Sequence, residues 1–183
     1  MTTELSISAG APTLRYFSYD SKHGEPRIIA KAAVAAASTG IDMPVESHHA
    51  WVTYRKALLL DSFCDVFSTH GWSNSPIRFQ FSRQRPEEDR TVEWKTPGRH
   101  VTTLGAQVFV VLACSGQVAP WLSKLRPGSV VITSSTKTIS SDECADAIAD
   151  FIPTLPGLRA SSASPQEVWA AWPSKHRFQF AVA

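Results

Sequence analysis

Residues 107–113 read Gln-Val-Phe-Val-Val-Leu-Ala (QVFVVLA), and residues 128–133 read Gly-Ser-Val-Val-Ile-Thr (GSVVIT). Both runs are short, rich in β-branched side chains and apolar almost without a break. A strand with one wet face alternates polar and apolar residues. A strand without alternation is covered on both faces, as in the middle of a parallel sheet. Between the two runs, residues 116–125 predict a short helix with Pro120 in its first half. Strand, helix and strand then make a right-handed parallel crossover, and these two strands form the centre of the predicted sheet.

Away from that centre the period changes. Ile77, Phe79 and Phe81 alternate with Arg78, Gln80 and Ser82, and Val92 and Trp94 alternate with Thr91, Glu93 and Lys95. Joined by the polar segment QRPEEDR (84–90), the two runs predict a hairpin within 76–100, with one face on a core and one in water. The tetrapeptide RFQF at 78–81 recurs at 177–180, yet the flanking residues share little. The repeat therefore reads as two strands under one packing rule, with the C-terminus a strand in the sheet.

Toward the N-terminus, Thr13–Tyr19 predicts a strand and residues 25–40 a helix closed by Gly40. Val52, Leu59, Phe63 and Val66 recur at helical spacing, so a second helix is expected over 45–70, with His70 in its last turn and Gly71 ending it. Toward the C-terminus, Ser140 and Glu143 form a capping box opening a helix whose stripe is Cys144, Ile148, Phe151 and Ile152. The segment PTLPGLRASSASP (153–165) reads as a loop, and 166–172 as a helix stopped by Pro173. The expected fold is α+β (mixed α/β). Residues 1–11 are frayed and 12–183 form a single domain, a mixed sheet of about five to six strands with helices packed on it and a helix-rich N-terminal third.

Composition narrows function mainly by exclusion. A chain of 183 residues with 43% hydrophobic and 19% charged residues is an ordinary globular protein. A net charge of +2 is too small to argue for a general polyanion binder. Cys64, Cys114 and Cys144 are far apart and odd in number, which suits free thiols in a reducing compartment better than a disulfide framework. No apolar run approaches the roughly 20 residues of a membrane span, so the expectation is a cytoplasmic protein without membrane contact, metal or cofactor.

Three chemistries remain as candidates. Glu93-Trp94-Lys95 resembles the carboxylate–lysine pair that metal-dependent nucleases of the PD-(D/E)xK type carry on a strand, where the carboxylate holds Mg²⁺. The second carboxylate is not evident: Glu87, Glu88 and Asp89 sit in the adjoining loop, and Asp61 and Asp65 on the expected helix. Cys114 follows a buried strand and precedes a helix, a location that favours a thiolate and where open α/β sheets bind ligands. The plain alternative is a buried free thiol, and the sequence by itself identifies no histidine base. Arg78, Arg83, Arg85, Arg90, Arg99 and Lys95 interleave with Phe79, Phe81 and Trp94, a mixture suited to phosphates and bases, although four acids in the same stretch nearly cancel the charge.

Arg177 joins that set through the second RFQF. Trp72, Trp121 and Trp172, in polar or loop-like surroundings, are candidate anchors for a protein partner. On this reading the expected function is a non-enzymatic binding or assembly protein in a larger intracellular protein or nucleoprotein complex. The alternatives are nucleic-acid binding through 76–100, a Mg²⁺ nuclease at Glu93 and Lys95, or a thiol enzyme at Cys114.

Overall fold

The computed structural model describes residues 10–18, 25–46, 56–68, 71–72, 75–82, 92–95, 103–114, 118–135, 138–173 and 175–183. Its main sheet is built from β1 (Leu14–Ser18), β2 (Val45–Glu46), β3 (Ser62–Ser68), β7 (Ala106–Leu112), β8 (Val130–Ser134) and β9 (Phe178–Val182), in the order β2-β1-β3-β7-β8-β9. All neighbours are parallel except β9, which runs antiparallel to β8. A second, three-stranded antiparallel sheet comprises β4 (Gly71–Trp72), β5 (Ser75–Ser82) and β6 (Val92–Lys95), inserted in the chain between β3 and β7. The helices are α1 (Glu25–Ser38), α2 (Ala119–Leu122), α3 (Ser141–Phe151), α4 (Leu155–Ala160) and α5 (Pro165–Ala171). The expected mixed sheet with packed helices is the fold observed.

The strand order follows from crossover handedness. β1 leads through α1 to β2 on one side, and β7 leads through α2 to β8 on the other. Keeping both connections right-handed puts the helices on opposite faces. Indeed α1, α3 and α5 cover Leu14, Tyr16, Val66, Val110 and Ile132 on one face, while Trp121 and Leu125 cover Phe67, Phe109 and Val131 on the other. Trp121 packs 5.0 Å from Phe109 and 6.2 Å from Phe67 between ring centroids. On the first face Trp172 packs 4.8 Å from Phe151 and 5.0 Å from Phe178. Both tryptophans are thus core residues rather than interface anchors. Trp72 belongs to β4, described by its pairing alone.

Three expectations are corrected. The N-terminal third is not helix-rich: the helix expected over 45–70 gives way to β2 at 45–46, a helical end at 56–57 and β3 at 62–68, while Val52 lies outside the described residues. Every residue of β3 is buried, and a run apolar on both faces fits a helical period as easily as a strand. The expected loop at 153–165 instead continues α3 through a 3₁₀ turn into α4. Pro153 and Pro156 stand in first turns, where their missing N–H groups leave no hydrogen bond unmade; buried Ile152 and Leu155 hold the segment on the core. The expected C-terminal strand is present as β9, which pairs with β8, while β5, with the first RFQF, belongs to the other sheet.

Finally, the β5–β6 register opposes Phe79 to Lys95, Gln80 to Trp94 and Phe81 to Glu93. Directly opposite positions in an antiparallel ladder share a face. The apolar positions of one strand are therefore matched with the charged positions of the other, and the expected division into one apolar and one polar face does not follow.

Within the main sheet, β1 and β3 are locked by a buried ion pair. Arg15 donates from Nε and Nη2 to the Asp65 carboxylate at 2.8 and 2.7 Å, and to the carbonyls of Ala57 and Leu60 at 2.9 and 2.8 Å. Ser62 donates to Asp65 at 2.6 Å. Removing one partner of such a pair strands a charge, which costs about 3–5 kcal/mol. Asp65→Ala is expected to lower stability by that amount in urea unfolding, and a loss below about 1 kcal/mol would contradict the role given to the pair. Deleting residues 174–183 removes β9 and buried Phe178. Since a buried phenylalanine alone is worth roughly 3–5 kcal/mol, the truncated chain should melt well below the full-length protein in a calorimetric scan.

Candidate functional site

The two edges of the main sheet differ. At the amino edge the backbone is tightly closed. Gly105 donates to the Leu58 carbonyl at 2.8 Å, and a Cβ on Gly105 would collide with the Leu60 carbonyl. Arg126 pairs with Asp61 there, and Gly128 and Ser129 are tied to the last residue, Ala183. This edge is sealed by structure. In open α/β sheets ligands bind instead outside the carboxyl ends of the strands, near the point where the strand order reverses. Here that point lies between β1 and β3, with β7 alongside.

At the carboxyl edge the register aligns Ser18 with Ser68, and Ser68 with Leu112, across three neighbouring parallel strands. Parallel strands stand about 4.8 Å apart. Cys114 follows two residues after Leu112, at a turn, and is half-buried. Its thiol donates to the Ile139 carbonyl at 3.8 Å. The backbone beneath it is held from the side: Ser134 donates to the carbonyl of Ala113, and the Gln179 amide donates to the carbonyl of Ser134 at 3.2 Å. Thus β8 and β9 brace the residue preceding Cys114.

The three thiols sit in different environments. Burial, with a smaller contribution from neighbouring Asp65, pushes the Cys64 thiol well above its ordinary 9.0. Cys144 is pushed up to about 12, first by burial and then by the charges of Cys114 and Glu143. Both stay protonated near neutral pH. Cys114 is the one free cysteine not fully buried.

The other sequence candidates are not assembled around it by any described contact. Arg78 lies on β5, and Glu93 and Lys95 lie on β6. Arg83, Arg85, Arg90 and Arg99 lie outside the described residues. Arg177 donates from Nε to Glu143 at 2.7 Å and is half-buried, so its guanidinium is engaged within the fold. Among the described residues no group of three or more His, Cys, Asp or Glu side chains is gathered for a metal ion, and no described helix is long and apolar enough to cross a membrane. Sequence reading put His70 at the end of a helix. His70 lies outside the described residues; the segment before it, β3, is a strand.

The capping box of α3 is formed as read: Ser140 accepts from the Glu143 amide at 3.1 Å, and Glu143 accepts from the Ser140 amide at 2.9 Å. The Ser140 amide first, then Arg177, hold the Glu143 carboxyl down at about 2, against an ordinary 4.5. A depressed carboxyl contributes stability that is present above its unfolded value and lost as pH falls through its folded value. Its share is therefore lost between about pH 4.5 and 2. Arg177→Ala is expected to raise the Glu143 titration midpoint measured by carboxyl NMR, and an unmoved midpoint would show that the pair is not formed in solution. No family model matches the chain, and no curated protein shows significant similarity to it.

Proposed function

We propose that the protein is a thiol-dependent hydrolase of carbonyl substrates, with Cys114 as the nucleophile and His70 as its base. The observation that carries this reading is the pairing of Ser68 with Leu112 in adjacent parallel strands. His70 lies outside the described residues, and its assignment rests on connectivity: it follows Ser68 by two residues and precedes Gly71 of β4. In sequence, His70 and Cys114 each follow by two residues the register partners Ser68 and Leu112, and thiol catalysis needs a base beside its nucleophile. The carboxyl edge of the sheet is also where such folds bind ligands.

The chemistry follows from that pairing. His70 takes the Cys114 proton, and the thiolate attacks the substrate carbonyl carbon. The imidazolium then returns the proton to the departing amine or alcohol, leaving an acyl thioester on Cys114. Water, deprotonated by His70, releases the acid and restores the thiol. The expectation of a non-enzymatic assembly protein rested on the lack of any evident catalytic constellation; the thiol reading is supported by the register of β3 and β7 and by the place of His70 in the sequence. The nuclease reading gains no second carboxylate among the described contacts, and nothing described favours the nucleic-acid reading.

Iodoacetamide tests the assignment. A thiol paired with an imidazolium is largely thiolate at pH 6.5, whereas an ordinary one with a pKa near 8.5 is about 1% so. Cys114 is expected to alkylate at least ~10-fold faster than a peptide thiol at that pH, and His70→Ala should abolish the advantage. Cys114→Ala should remove hydrolysis of chromogenic acyl esters or anilides. Alkylation at the peptide rate, indifferent to His70, would sink the reading.

A further inference from the structure

The Cys114 thiol donates to a residue at the start of the helix that carries Cys144. Ile139, whose carbonyl accepts from the Cys114 thiol, directly precedes Ser140, the N-cap of α3. Cys144 is the fourth residue of that helix and is buried on its core face. The residue before an N-cap and the fourth helical residue pack together across a helix start, as in a hydrophobic staple. Ile139 packs on the same core cluster as Cys144, and its carbonyl accepts from Cys114. Side chains also lean toward the N-terminus of their helix, which carries the Cys144 thiol back toward Ile139. The rise in the Cys144 pKa caused by the Cys114 charge agrees with this proximity.

We propose that Cys114 and Cys144 form a reversible intramolecular disulfide, installed by hydrogen peroxide and removed by small thiols, which masks Cys114. In the first step the Cys114 thiolate attacks one peroxide oxygen; the O–O bond breaks, hydroxide leaves, and Cys114 becomes a sulfenic acid. In the second, the Cys144 sulfur attacks the Cys114 sulfur, the S–O bond breaks, and the oxygen leaves as water with the Cys144 proton. Two thiols have then lost two electrons to one peroxide molecule. Because Cys144 is protonated near neutral pH, the second step accelerates as pH rises. The bond also protects Cys114, since a sulfenic acid without a partner thiol oxidises irreversibly to the sulfinic acid. Its meaning as an off-switch rests on the thiol-hydrolase reading; the bond itself does not.

The test is a peptide map of the folded wild-type protein after hydrogen peroxide, blocking with N-ethylmaleimide and trypsin. The expected product joins residues 100–124, which hold Cys114, to residues 138–159, which hold Cys144, and it disappears with dithiothreitol. Activity toward the acyl substrate should fall as this peptide appears and return when it is reduced. In Cys144→Ala, peroxide inactivation should become irreversible; should that variant fail to fold, the wild-type map decides alone. The proposal is overturned if Cys114 passes to sulfinic acid while Cys144 is recovered blocked by maleimide. It is equally overturned if the cross-link forms only in urea, or forms as readily to the Cys64 peptide 57–78. Hydrolysis that survives Cys114→Ser would overturn the enzyme reading instead and leave the cross-link to be judged by the map.

Discussion

The Arg15–Asp65 pair fixes β1 against β3, and the carboxyl edge of the sheet inherits that alignment. Arg15 and Asp65 are Cα partners in the ladder, so the side-chain bond and the backbone register specify the same alignment. Burying two charges is unfavourable unless their remaining hydrogen bonds are met. Here Ser62 and the carbonyls of Ala57 and Leu60 meet them. A slip of one residue would put the two charges on opposite faces of the sheet and leave them unpaired. The same pair thus draws the 57–62 segment onto the strand and closes the amino edge below it.

From that closed edge the sheet runs to an edge of different character. Gly105, Arg126 and Ala183 seal one end by backbone approach and ion pairing. At the other end Ser18, Ser68 and Leu112 finish in line, and Cys114 emerges half-exposed with its backbone braced by Ser134 and Gln179. The cysteines divide accordingly. Cys64 faces a core with no route to solvent, Cys144 lies under the start of α3, and Cys114 stands where the sheet opens. On the proposed reading, the fold uses one thiol for chemistry and keeps a second, protonated by burial, within its reach.

Much of this was legible in the sequence. The unbroken apolar runs of β7 and β8 announced central strands, and Ser140 with Glu143 announced α3, because each signal is local. β3 was not legible, since Ser-Phe-Cys-Asp-Val-Phe-Ser is buried on both faces and so lacks the alternation that marks a strand. Its Asp65 looks like a solvated helix residue until its partner, fifty residues away, is known. Residues 153–160 misled in the opposite direction: Pro153, Pro156 and Gly157 signal a loop, yet each proline occupies a helix start. The hairpin was recognisable but its register was not, because alternation within a strand does not say which positions oppose one another. The site suffered most from this. Cys114 was visible as a cysteine between a strand and a helix, but the placing of β3 as a strand beside β7, on which the proposed role of His70 rests, was not.

The central claim is that His70 and Cys114 act as a pair, and the His70 ring reports on it directly. A thiolate beside an imidazole favours the charged imidazolium and raises its pKa; capping the sulfur removes that charge. The measurement is the NMR titration of the His70 ring nitrogens before and after alkylation of Cys114. The pairing predicts a His70 midpoint that falls on alkylation, while the other five histidines keep theirs. A His70 midpoint indifferent to the state of Cys114 would contradict it.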